Sequence, residues 1–234
     1  MDFNADKCKV MHLGNKNLLA NFEINNSYLT ETTEEKDLGV IISRNMKVGP
    51  QCVQAVKNAN KVLGMIKRTF DVRDKNVVIN LYKSLVRPHL EYCMSAWRPY
   101  LVKDIDLLEG VQRRATKLVQ EFPDLSYYDR LKKSNLTSLE TKRIRGDIIE
   151  IFKIYHGLTD LDPGLFFTPS QIKLRGHNYK IFKDRVFSNV GKYSFSYRVI
   201  DEWNSLPESV VNSASLNIFK NSIDLIIKED WGLI

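Results

Sequence analysis

The hydrophobic period of this chain changes once, near residue 46, from about two to about 3.6, and that change limits the folds open to it. Before it the sequence reads as strands. Lys7 to Leu13 alternates, with Cys8 and Val10 on one face. Phe22-Glu23-Ile24 and Tyr28-Leu29-Thr30 flank Asn25-Asn26-Ser27, residue types that suit a hairpin tip. Leu38 to Ile42 is apolar enough to predict a strand buried on both faces.

After the change the pattern is helical. A helix is predicted over 51–70, with Val53, Val56, Leu63, Ile66 and Phe70 as its apolar stripe. A second, over 74–87, should be interrupted at Arg87-Pro88 and resume through His89 to Trp97. A third runs from Lys103 to Phe122, where Pro123 ends it. Ser126 caps a short helix over 126–132, and a longer one spans 137–156 before Gly157. Residues 160–170 read as a linker, and 172–200 as an irregular, aromatic-rich stretch. A last helix over 214–229 takes Ser213 as its cap. The expected fold is mainly α with a small N-terminal β part (α+β), divided into strands over 1–45, a helical domain over 46–158, and a C-terminal segment over 159–234.

Charge follows the same division. Residues 1–46 carry a net −2, residues 47–153 hold 21 Lys/Arg against 12 Asp/Glu for a net +9, and the remainder is balanced. A basic block of that size is what contact with a polyanion requires, and it fits equally a solvated helical face. Lys57, Lys61, Lys67 and Arg68 on one helix, with Arg113, Arg114 and Lys117 on another, are spaced to line a common groove and neutralise phosphates. Lys142, Arg143 and Arg145 form a further cluster left outside that set. No apolar run approaches the ~20 residues of a membrane helix. Three widely spaced cysteines and no signal-like N-terminus predict reduced thiols in an intracellular protein, nuclear or cytoplasmic.

Chemistry-bearing motifs are sparse. There is no Cys-x-x-Cys and the four histidines are scattered, so no metal site or cofactor is expected. His89-Leu90-Glu91 has the His-x-Glu spacing of zinc deaminases without their Pro-Cys-x-x-Cys. No phosphate-binding glycine loop and no nucleophile elbow occurs. The C-terminal aromatics are expected to fill core, and Trp203-Asn204-Ser205-Leu206-Pro207 to form a turn around a buried indole.

Phe3-Asn4 through Lys7-Cys8-Lys9-Val10-Met11-His12, Lys36-Asp37-Leu38-Gly39-Val40, Ala59-Asn60-Lys61-Val62-Leu63-Gly64, Leu81-Tyr82-Lys83-Ser84-Leu85-Val86-Arg87-Pro88-His89-Leu90-Glu91-Tyr92, Leu108-Glu109-x-Val111-Gln112-Arg113-Arg114, Arg143-x-Arg145-Gly146-Asp147, Arg175-Gly176-His177 and Trp203-Asn204-Ser205-Leu206-Pro207 together resemble the C-terminal region of reverse transcriptases of non-LTR retrotransposons (LINE elements of the jockey and chicken-repeat type). The resemblance implies palm-remnant strands followed by a helical, thumb-like bundle. It implies a primer-grip role for Leu38, Gly39 and Val40, and it makes the seven cations a duplex-facing set. The palm aspartates of such polymerases have no counterpart. The sequence has no Asp-Asp pair, and Tyr127-Tyr128-Asp129-Arg130 offers one aspartate where two are needed. What is expected is a truncated, catalytically inactive RNA-directed DNA polymerase fragment with no catalytic residues. It would bind RNA–DNA or DNA duplex weakly and without sequence preference, and self-associate through exposed N-terminal strands. The alternative is a non-binding helical relic or protein-interaction module.

Overall fold

The computed structural model describes residues 4–14, 17–71, 73–171 and 176–229. Phe3 and Arg175, both quoted for the resemblance, lie outside them. The described chain is mixed α+β and mainly helical.

Among the described residues the strands pair two at a time. β1 (Lys9–Val10) and β4 (Thr30–Glu31) are parallel, while β2 (Glu23–Ile24) and β3 (Ser27–Tyr28) form the expected hairpin. Asn25 and Asn26 turn it with φ of 51° and 60°, a left-handed pair that asparagine tolerates. β5 (Glu34–Asp37) and β6 (Val40–Ser43) form another hairpin, with Asp37 opposite Val40. The strand expected over Leu38 to Ile42 is therefore corrected. Leu38 (φ 45°) and Gly39 (φ 89°) are the two turn residues, and Leu38 is 84% exposed at the tip. Two successive positive φ values end a strand, and Gly39 supplies one without strain. A Cβ on Gly39 would also lie 3.1 Å from the Tyr92 ring, against which the turn rests.

α1 (Gly49–Thr69) starts with Pro50 in its first turn. Its buried stripe is Cys52, Ala55, Val56, Ala59, Leu63 and Ile66, whereas Val53 and Phe70, expected inside, are exposed. The chain then forms α2 (Lys75–Leu81), a π-helical turn (Tyr82–Val86) and α3 (Arg87–Glu91) without a break. The interruption predicted at Arg87-Pro88 does not occur. A proline ring collides with the carbonyl four residues back in a regular α-helix, and the wider turn just before Pro88 opens that space.

α4 (Val102–Lys117) stops a turn before the Phe122 expected to end it. α5 (Tyr127–Lys133) and α6 (Leu139–Tyr155) are capped by Ser126 and Ser138, which accept from the amides of Asp129 and Thr141. Gly157, at φ 62°, follows α6.

Two apolar cores meet at α6. The first joins α1 to α5 with Leu136 and Leu139, and the second joins Ile148, Ile151 and Phe152 to the C-terminal chain. Phe167 reaches the second core from the stretch read as a linker. Beyond it come α7 (Asn189–Lys192), α8 (Phe195–Arg198), α9 (Ile200–Asn204), α10 (Glu208–Val211) and α11 (Leu216–Glu229). The described part of the stretch expected to be irregular, residues 176–200, therefore contains short helices. Ser215, not Ser213, caps α11 by accepting from the Ile218 amide at 3.3 Å. Ser213 is buried and donates back to the Val210 carbonyl. Among the described residues no helix is long and apolar enough to cross a membrane.

Candidate nucleic-acid interface

α1 and α4 lie side by side and run the same way, because their contacts keep one order along both. Gly49 lies beside Asp104, the Arg114 guanidinium donates to Asn60 Oδ1 at 3.0 Å, and Lys67 and Phe70 border a gap with Leu118. The seven cations picked from the sequence are all exposed. Lys57, Lys61 and Arg68 follow one stripe of α1, opposite its buried stripe. Lys67 sits towards α4 at the C-terminal end of α1.

On α4 the adjacent arginines diverge by about 100°. Arg114 turns to α1, while Arg113 pairs with Asp106 at 3.5 Å and lies 5.3 Å over the Tyr127 ring. Lys117 stands exposed one turn further on. Between the two helices the Arg114 guanidinium bridges to Asn60, and the other cations are exposed along the pair.

The primer-grip-like residues are elsewhere. Leu38 and Gly39 form the hairpin tip, held by the Tyr92 hydroxyl, which donates to the Leu38 carbonyl at 2.9 Å. Val40 packs on the first core, and Ile41 N–H donates to Gln51 Oε1 at 2.9 Å, fixing β6 to the N-terminal end of α1. From Gln51 to Lys67 is about 24 Å along the helix axis. The hairpin is thus near Lys57 and remote from Lys67 and Arg68.

Sequence reasoning missed a set of buried polar residues. Glu109 accepts from the Tyr127 hydroxyl, from Gln112 Nε2 at 3.1 Å and from the Leu139 amide at 2.9 Å. Gln112 also accepts from the Tyr82 hydroxyl at 2.8 Å and donates to the Thr137 carbonyl at 3.0 Å. Burial and the neighbouring Glu109 carboxylate hold both tyrosines above the ordinary phenol range.

Asp147, 1% exposed, receives two bonds from Arg198 (2.9 and 3.0 Å) and one from Arg98 (3.2 Å). Arg143 is buried, donates to the Leu90 carbonyl at 2.6 Å and stacks 5.3 Å over Trp97; burial pushes its pKa down. Arg145 pairs with Asp224 of α11 at 2.9 Å, and Lys142 lies 3.9 Å from Glu91. The signal was present: Glu109, Gln112 and Asp147 are polar residues at apolar positions of a helical stripe. His177 donates through Nε2 to the Trp203 carbonyl at 3.1 Å, while Asn204 clasps the N–H and C=O of Ile181 (2.9 and 2.8 Å). Many of the stretches that carry the resemblance therefore act as fasteners of the fold.

Asp129 sits in the first turn of α5, where its carboxylate accepts from the Ser126 hydroxyl, and Tyr128 is exposed. Trp203 is fully buried, as expected, and its indole donates to the Tyr179 carbonyl at 2.8 Å. Phe187, expected in the core, is 88% exposed with Arg185 over its ring. Cys52 is buried and its thiol pushed up to about 12, which leaves it inert. Among the described residues no group of three or more His, Cys, Asp or Glu is placed to hold a metal ion. Comparison with known protein families, curated proteins and solved structures finds no match.

Proposed function

We propose that this chain is a nucleic-acid-holding module of the reverse-transcriptase kind, without a catalytic role of its own, whose outer α1–α4 face neutralises the backbone phosphates of a duplex. The observation that supports it most is that Lys57, Lys61, Lys67, Arg68 and Lys117 are exposed on two co-directional helices and carry no ion pair among the described residues. Cations arrayed in this way meet phosphates through charge and cannot read bases, so binding is sequence-independent. Each phosphate neutralised adds roughly −0.9 to the slope of log K against log salt, so five contacts give about −4 to −5.

Fluorescence anisotropy of a labelled RNA–DNA hybrid across a salt series measures that slope. Reversing Lys57, Lys61, Arg68 and Lys117 to Glu should abolish binding, and unchanged affinity in that variant would sink the assignment. A second reading has its own support. Leu18, Phe22 and Tyr28 are 99%, 51% and 75% exposed around the N-terminal strands, an apolar surface suited to self-association or to docking another protein. Sedimentation velocity separates the two, because apolar association persists in high salt where phosphate binding is lost.

A further inference from the structure

α2 and the turn after α5 enclose a cleft of about 190 Å³. Its lining contains Lys75 and Lys83 from the α2 segment and Lys133 from the end of α5, and it contains no carboxylate. The nearest acid in sequence, Asp74, is already bonded to the amides of Asn76 and Val77 at the start of α2. Lys75 and Lys83 are only partly exposed, and none of the three lysines has an ion pair among the described residues. Asn80 and Asn135 add carboxamides to the rim, and Ser134 is a lining residue, 5% exposed, whose hydroxyl has no hydrogen-bond partner.

The contrast with a larger cavity is chemical. That one, about 310 Å³, mixes Arg98, Lys183 and Lys192 with Glu140, Asp201 and Glu202, so its charges answer one another. In the α2–α5 cleft they do not. Like charges around a concave, partly desolvated space repel, and a bound anion reverses the sign of that energy. Ammonium groups backed by carboxamides suit phosphate oxygens, which take several donors at once.

The geometry points to a phosphate-binding cleft between α2 and the α5–α6 turn, separate from the α1–α4 face. Lys75 and Lys83 are about 12 Å apart along the helix, which accommodates a diphosphate or two successive phosphates of a polynucleotide strand. The shared chemistry is the phosphate group. Its source is either a free phosphorylated small molecule or a nucleic-acid backbone.

Titration of the whole chain with inorganic pyrophosphate, followed by amide chemical shifts, tests the cleft itself. Shifts should concentrate at residues 75–83 and 133–135. Lys83→Gln with Lys133→Gln should weaken binding at least about tenfold, the scale of one lost charge-assisted contact. Lys132→Gln, which removes an exposed lysine outside the cleft, should leave it unchanged, and thermal melts confirm that each variant is folded. Shifts spread over all lysines, equal weakening by Lys132→Gln, or no shift at all would overturn the site. Competition by a short oligo-dT strand then assigns the source. Displacement of pyrophosphate marks a nucleic-acid backbone, and its absence marks a free phosphate compound. Because the α1–α4 reversal variant keeps this cleft, failure of the duplex-binding reading and failure of this site give different results.

Discussion

The seam at which the two cores meet on α6 and the outer face of α1 and α4 both draw on the basic block of the sequence, but with different side chains and to different ends. Along the seam the cations are arginines. Arg98 from that block and Arg198 from beyond it grip Asp147, and Arg143 caps the Leu90 carbonyl beneath Trp97. On the outer face four of the seven are lysines, and Arg113 and Arg114 are partly engaged by Asp106 and Asn60. A planar guanidinium with five donors can be satisfied in a low-dielectric seam, whereas a compact ammonium retains its hydration best outside. The lesson is that net charge overstates what is free to meet a ligand. Part of the middle block holds the protein together.

That contrast makes its strongest prediction at Asp147. Replacement by Ala leaves Arg98 and Arg198, at 14% and 8% side-chain exposure, without their carboxylate. Breaking a buried pair by removing one partner costs about 3–5 kcal/mol. The urea midpoint, followed by far-UV circular dichroism, should fall accordingly. A loss no larger than that of a surface substitution would mean that the seam does not depend on this carboxylate.

Glu109→Gln comes next. The amide keeps the shape of the side chain and replaces one of the acceptor oxygens now met by Tyr127, Gln112 and the Leu139 amide. A mismatched buried donor costs roughly 1–3 kcal/mol. Amide exchange at the start of α6 should rise in the same variant, because Leu139 N–H is among the groups affected.

Much of the helical architecture was legible beforehand, since α1, α4, α5 and α6 rest on local period and on caps such as Ser126 and Ser138. What was not legible depends on partners distant in sequence. Asp147 meets Arg98 and Arg198 across 49 and 51 residues, and Leu38 is turned outward by a hairpin docked on Tyr92, 54 residues away. The continuation past Pro88 depends on a one-residue widening that propensity does not encode. The seven candidate cations are exposed, as residues of a polar helical stripe are on local grounds. Their division between a bridged seam and free stripes was not visible, because it depends on which flank of α4 faces α1.

A gentler probe of the interior uses pH. His177 is buried, and its Nε2 must carry the hydrogen given to the Trp203 carbonyl, so protonation would place a second hydrogen on Nδ1, which has no partner. Burial accordingly lowers its pKa from the usual 6.5. A histidine with a depressed folded-state pKa is protonated first in the unfolded chain. Its contribution is therefore present above about pH 6.5 and is lost as pH falls towards the folded-state pKa. The urea midpoint of the wild type should drop over that window more steeply than that of His177→Gln; parallel curves would remove His177 from the account.

The smallest stability effect belongs to the outer face. Reversing Lys57, Lys61, Arg68 and Lys117 touches no buried atom and breaks no ion pair among the described residues. Each substitution should change stability by no more than about 0.5 kcal/mol, and the melting temperature should stay close to that of the wild type. The same four changes are expected to abolish binding to the RNA–DNA hybrid, so one variant yields opposite results for fold and function. If instead it unfolds as readily as Asp147→Ala, the outer cations are structural too, and the distinction between seam arginines and surface lysines fails. A variant that remains folded and still binds would keep that distinction and remove the phosphate-neutralising role from this face.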